Sequence, residues 1–196
     1  TDEISVRVAR NAEIKILQEI SSLADYSMID LYKISQDGNH ITPLYRHCRP
    51  PTGKNADKLT QNARLLTARF EEFQMILKDT LLSLLDQKPA NQSPIIESLQ
   101  SVAIEMAAVD SESRRIIVVS DLIQHSSRLS FYRSRPSIKD YEEIQGQVGG
   151  GFADLRGTEV RFMVIPRKVP AGSKSSLENF WMDWIDRGDV KKSNSS

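Results

Sequence analysis

Ser120 and Asp121 close an unbroken β-branched run, Ile116-Ile117-Val118-Val119, and His125, Ser126 and Ser127 follow closely. A carboxylate, an imidazole and several hydroxyls so near one another open three kinds of chemistry. Carboxylate and hydroxyl oxygens suit Mg²⁺, which takes six oxygen ligands, several of them water. A serine beside a histidine and an aspartate suits acyl transfer, but that device also needs an activated serine and an oxyanion hole. No Gly-x-Ser-x-Gly elbow is present to supply them. Asp121 could also serve as the nucleophile of a metal-dependent phosphatase or other hydrolase, although Leu122-Ile123 lacks the second aspartate such enzymes generally use. The plain alternative for Asp121 is a turn or cap aspartate.

The elements that must position these groups are legible around them. The apolar run is too short for a helix and reads as a buried central strand over 114–120. In an open α/β sheet, ligands bind at the carboxyl ends of such strands. Ser93-Pro94, followed by Glu97, reads as a capped helix start leading back into that strand. Beyond it, Arg128, Arg133, Arg135 and Lys139 form a basic patch with Phe131 and Tyr132 among them. That patch could meet an acidic partner or nucleic acid, or be a solvated loop.

Composition narrows the classes. Among 196 residues, Lys plus Arg and Asp plus Glu both number 26, so formal net charge is zero. A general nucleic-acid binder needs surplus positive charge, so this balance argues against one. No apolar run is long enough to span a bilayer. The single Cys48 excludes an internal disulfide and a cysteine-based zinc cage. His40, His47 and His125 lack metal-ligand spacing as a set. Arg49-Pro50-Pro51-Thr52-Gly53-Lys54 lacks the glycine spacing and the final Ser or Thr of a phosphate loop.

In chain order, Ala9, Ala12, Ile16, Ile20 and Leu23 predict a helix over 5–23, capped by Asp2 or Ser5. Strands follow over 28–35 and 40–48, joined by a turn at Asp37-Gly38. Pro43 inside the second marks a sheet edge. One long helical pattern runs from an Asn55 cap to Lys88, with Leu66, Phe70, Phe73, Leu77, Leu81 and Leu84 on its stripe. A helix from Ser93, the 114–120 strand and a short helix over 137–145 come next. A strand over 158–165 precedes a last helix, capped by Ser173 or Ser176, with Leu177, Phe180, Trp181, Trp184 and Ile185 inward and Gly188 at its end. Residues 1–189 read as one domain and 190–196 as a disordered tail. Strands alternating with helices predict an α/β fold, a mostly parallel sheet between two helical layers with one antiparallel edge strand.

These motifs resemble a von Willebrand factor A-type (vWA) domain. Ser93-Pro94-Ile95-Ile96-Glu97-Ser98-Leu99 is similar to its second loop, and Ile117 to Asp121 to its fourth strand and third loop. Thr1-Asp2-Glu3-Ile4-Ser5 is similar to the tail of a divergent first loop. A closer resemblance is to an uncharacterised bacterial group of that superfamily. It shares Ser-Asp-x-x-Gln-x-Ser (here 120–126), Tyr132-Arg133, Asp154-Leu155-Arg156-Gly157 and Phe180-Trp181. The resemblance implies a three-layer Rossmann-like fold and a non-catalytic module that docks a partner protein at the carboxyl end of the sheet. It implies a MIDAS-like Mg²⁺ site drawn from Thr1, Asp2, Ser5, Ser93 and Asp121. The partner face it implies is Asp121, Gln124, His125, Ser126, Arg128, Tyr132 and Arg133. The family's first strand and the leading aspartate of its first loop are missing. The expectation is therefore a trimmed N-terminus, a weak or absent metal, and a membrane anchor upstream as an option. Cys48-Arg49-Pro50 matches a Cys-x-Pro of the same group, where the cysteine could pair with one upstream; otherwise it is an ordinary buried thiol.

Overall fold

Met28–Leu31 (β1) and Tyr45–Cys48 (β2) run antiparallel, Met28 opposite Cys48 and Leu31 opposite Tyr45. The structure, a computed structural model, describes residues 6–35, 41, 43–54, 62–85, 91–132, 137–148, 151–165 and 173–188. The Asp37-Gly38 turn, the Asn55 cap, Thr1 to Ser5 and residues 190–196 lie outside them. Pro43 stands ahead of β2 rather than inside it, so the strand keeps all its N–H groups. Cys48 is exposed, which corrects the reading of a buried thiol.

The chain divides into two compact units. The first holds β1, β2 and the helices Val6–Ser21 (α1) and Ala63–Leu85 (α2). The expected stripes are inward: Ala12, Ile16 and Ile20 on α1, and Phe73, Leu77 and Leu81 on α2, are buried. Tyr45 of β2 meets Phe73 with ring centroids 6.2 Å apart. α2 starts later than its pattern, because Asn62 caps it: Oδ1 accepts the Leu65 N–H at 3.1 Å. Arg49, 5 % exposed, closes the end of α1. It pairs with Asp25, donates from Nη2 to the Ser21 carbonyl at 3.2 Å, and lies 5.2 Å over the Phe70 ring. A cation there satisfies a carbonyl that the helix end leaves unpaired.

The second unit is built on a parallel pair, Arg114–Ser120 (β3) and Thr158–Val164 (β4), with Arg114 opposite Thr158 and Ser120 opposite Val164. Ile95–Ala107 (α3), Ile138–Val148 (α4) and Ser173–Arg187 (α5) complete it. Ile116, Val118 and Val160 point into one core with Ile95, Ile96 and Leu99 of α3, Tyr141 of α4, and Phe180, Trp181, Trp184 and Ile185 of α5. α4 opens on a reciprocal cap: Asp140 accepts the Ser137 N–H at 2.7 Å, and Ser137 Oγ accepts the Asp140 N–H at 3.4 Å. Ser176 sits inside α5 and cannot cap it.

The fold is mixed α/β, with five helices and two small sheets, one parallel and one antiparallel; no large central sheet is present among the described residues. β1–β2 is thus a separate hairpin rather than an edge of the β3 sheet, and β3 has β4 as its one described neighbour. β3 and β4 are joined through α4, the kind of helical crossover that a parallel pair requires.

Two tests follow from these contacts. Gly53 has φ +77°, and a Cβ there would lie 2.6 Å from the Ala63 carbonyl oxygen and 2.8 Å from Thr67 Oγ1. Gly53→Ala should therefore lower stability by about 1–3 kcal/mol, read as a shift of the denaturant midpoint at unchanged slope. Asp154, gripped by Arg156 at 2.7 and 2.8 Å, has its pKa lowered to about 2. A depressed folded-state pKa gives stability present above the unfolded value and lost as pH falls through the folded one. Asp154→Asn should flatten the acid-side stability profile between about pH 4 and pH 2; a profile identical to wild type would show that the pair is irrelevant to folding.

Candidate functional site

β3 ends on Ser120, and the chain then turns through a left-handed residue. Leu122 has φ +62° and is buried. A non-glycine residue there costs roughly 1–2 kcal/mol, so neighbouring contacts must hold it. Ser120 Oγ accepts the Leu122 N–H at 3.1 Å, Asp121 Oδ1 accepts the Ile123 N–H at 3.0 Å, and Trp181 Nε1 donates to the Leu122 carbonyl at 2.9 Å. Asp121 therefore acts in its own turn, as the plain reading of a turn aspartate holds.

Gln124 comes next and is 0 % exposed. Its Oε1 accepts the Ile96 N–H at 3.0 Å and its Nε2 donates to Glu97 Oε2 at 2.8 Å. Gln124 thus caps α3 from a distant point in the chain. This corrects two expectations. Gln124 is not on a partner-facing surface; its amide is consumed inside the fold. Ser93 is not the helix cap either: Pro94 occupies the cap position and no side chain of the local sequence caps the helix. The Ser93 backbone instead bridges His125, Ser93 N–H to His125 carbonyl at 2.8 Å and His125 N–H to Ser93 carbonyl at 2.9 Å.

The remainder of the loop folds on itself. Ser126 Oγ accepts the N–H groups of Arg128 and Leu129, each at 3.3 Å. His125 Nδ1 lies 2.8 Å from Ser130 Oγ, and its ring meets Tyr132 edge-on at 5.2 Å. Ser130 is buried, whereas Arg128 is exposed and Tyr132 is 52 % exposed. Asp121, His125, Ser126, Arg128 and Tyr132 thus lie in the loop following β3, to which Ser93, ahead of α3, is joined by its backbone bridge to His125. Thr1, Asp2, Ser5, Arg133 and Arg135 lie outside the described residues. Ser130, Glu97 and Trp181 are the participants that sequence reasoning did not assign to the site. The partners of Glu97 and Trp181 sit far along the chain, at Gln124 and Leu122, where no local spacing announces them, whereas Ser130 meets His125 and Tyr132 of its own loop.

Among the described residues, no group of three His, Cys, Asp or Glu side chains could hold a metal. Ser93 and Asp121 offer one hydroxyl and one carboxylate, and Asp121 Oδ1 already accepts a backbone N–H. The described residues alone do not make up a Mg²⁺ shell. Among them, no helix is long and apolar enough to cross a membrane. No protein-family model matches the chain, and no curated protein or solved structure matches it either.

Gln124→Ala should leave the Ile96 N–H and the Glu97 carboxylate without their partner and destabilise the fold by about 2–3 kcal/mol. Chemical denaturation monitored by tryptophan fluorescence measures this. Unchanged stability would assign Gln124 no part in the fold.

Proposed function

We propose that the chain is a non-catalytic protein-binding module of the vWA type, three-layered about a mostly parallel sheet, that docks its partner through the loop after β3. The observation that carries this reading is the division of labour in that loop. Ser120, Asp121, Gln124 and Ser126 use side-chain atoms to hold backbone, while Arg128 and Tyr132 face outward beside His125. Tyrosine and arginine are the side chains that most often anchor interfaces. A loop ordered before binding loses little entropy when the partner arrives. Its exposed cation suits an acidic partner surface, and Arg133 would extend that face. In this reading Mg²⁺ is an accessory: Ser93 and Asp121 would be its ligands here, with Thr1, Asp2 and Ser5 completing the set, and the ion would present positive charge to a partner carboxylate. Docking through Arg128, His125 and Tyr132 proceeds without it.

One observation favours a second reading, a hydrolase: the 2.8 Å contact between His125 Nδ1 and Ser130 Oγ. Ser130 Oγ is also engaged by the Tyr132 N–H at 3.3 Å, and the residue is buried, so a substrate carbonyl has poor access to it. The binding reading is therefore preferred.

Affinity capture with the intact protein, followed by titration of the captured partner, tests both. Arg128→Glu at unchanged melting temperature, and Tyr132→Ala in protein that remains folded, should each weaken that complex at least about tenfold. Full affinity in both variants would remove the loop from the interface. Turnover of p-nitrophenyl phosphate or acetate that disappears in Asp121→Ala or Ser130→Ala would replace the binding module with the hydrolase. Steeply salt-dependent retention of DNA or RNA would replace it with nucleic-acid recognition through the 128–139 patch.

A further inference from the structure

The β1–β2 hairpin has two unlike faces. Residues opposite each other in an antiparallel pair share a face, and alternate positions along a strand do too. Ile29 and Tyr45 are buried, and Tyr45 meets Phe73 of α2, so their face is turned to the helices. Met28 opposite Cys48, and Asp30 opposite Arg46, lie on the other face. There Met28 is 46 % exposed and Cys48 is exposed. Arg46 grips Asp30 from Nε at 2.7 Å and from Nη2 at 2.8 Å. The Tyr32 hydroxyl joins them, donating to Asp30 Oδ2 and accepting from Arg46 Nη2, each at 3.2 Å. The face therefore carries an apolar patch beside two opposite charges held at fixed places.

We propose that this face binds a second copy of the chain, sheet on sheet, about a two-fold axis parallel to the strands. Charge complementarity selects that occupant. Stacked sheets lie about 10 Å apart with their strands nearly aligned. A two-fold axis along the strands, midway between the sheets, lays β1 of each copy over β2 of the other. Every residue then faces its own cross-strand partner in the second copy. Asp30 faces Arg46 of the second copy and Arg46 faces its Asp30, so four charges alternate in sign. Met28 faces Cys48, two soft sulfur-bearing side chains that pack adaptably. An acidic surface would meet Asp30 and a basic one would meet Arg46, whereas the hairpin matches itself at both. The face is small, so association is weak, with half-association on the order of 100 µM. It lies in the first unit, whereas the loop after β3 lies in the second.

Sedimentation equilibrium of the intact protein, from about 10 µM to about 1 mM, should show a reversible monomer–dimer equilibrium. Met28→Lys leaves the Asp30–Arg46 pair in place and should weaken the dimer at least about tenfold at unchanged melting temperature. Asp30→Arg gives each copy two cations at this place, and Arg46→Asp gives each two anions. Either variant alone should associate at least about tenfold more weakly, and an equimolar mixture of the two should recover the association. A pair that served only its own hairpin would give no such recovery. Arg128→Glu should change nothing here, which keeps this outcome separate from that of the loop. A monomer at every concentration, a dimer untouched by Met28→Lys, or a mixture of folded charge variants that associates no better than its components would each overturn the proposal. Should the charge variants not fold, the concentration series and Met28→Lys decide alone.

Discussion

The side-chain amide of Gln124 is the constraint on which the second unit depends. Helix α3 begins after a proline and has no local side chain to receive its first N–H groups. Left buried and unpaired, such groups destabilise a fold by kilocalories. Gln124, separated from Ile96 by 28 positions, supplies the acceptor, and its other amide atom is anchored by Glu97 from the same first turn. Its backbone carbonyl accepts the Phe131 N–H at 2.9 Å. One fully buried residue thus joins the exit of β3, the start of α3 and the return arm of the loop. Because every polar atom named here is paired, the amide is compatible with the apolar core around it.

Leu122 extends the same coupling to the last helix. Its left-handed backbone turns the chain so that its side chain enters the core while its carbonyl receives the Trp181 indole N–H. Trp181 in turn packs against Trp184 and Phe162, with centroids 5.9 and 5.6 Å away. The strain at Leu122 persists because the surroundings determine it from several sides, and such strain concentrates where a loop must hold one shape.

What could be read from the sequence was what is local. The stripes of α1, α2 and α5 follow a period of 3.6 and were legible residue by residue, down to Phe180, Trp181, Trp184 and Ile185. The strands 114–120 and 158–165 were legible because β-branched runs bounded by polar turns have few alternatives. The role of Gln124 was not, since its partner is a backbone N–H far along the chain; Ser93-Pro94 offered a local cap that the structure passes over in favour of a backbone bridge to His125. The start of α2 at an Asn62 cap was not legible, because Asn55 offered a cap of the same residue type one stretch earlier.

The residues that drew attention as chemistry-bearing therefore divide by the direction their polar atoms face. Asp121 Oδ1, Gln124 Oε1 and Ser126 Oγ accept from the backbone; Arg128 and Tyr132 are exposed. The first group sets the shape in which the second is displayed. In a loop ordered in this way, the entropy of fixing the backbone is lost during folding rather than during docking. Variants of the inward group then act on affinity only through the population of the correctly shaped loop, which scales the apparent dissociation constant by the competent fraction. Variants of exposed Arg128 act on the contact itself, and those of Tyr132 act on it in addition to its ring contact with His125. Stability and affinity should consequently move together for the first set and separately for Arg128, which is the physical difference between a residue that builds a binding surface and one that belongs to it.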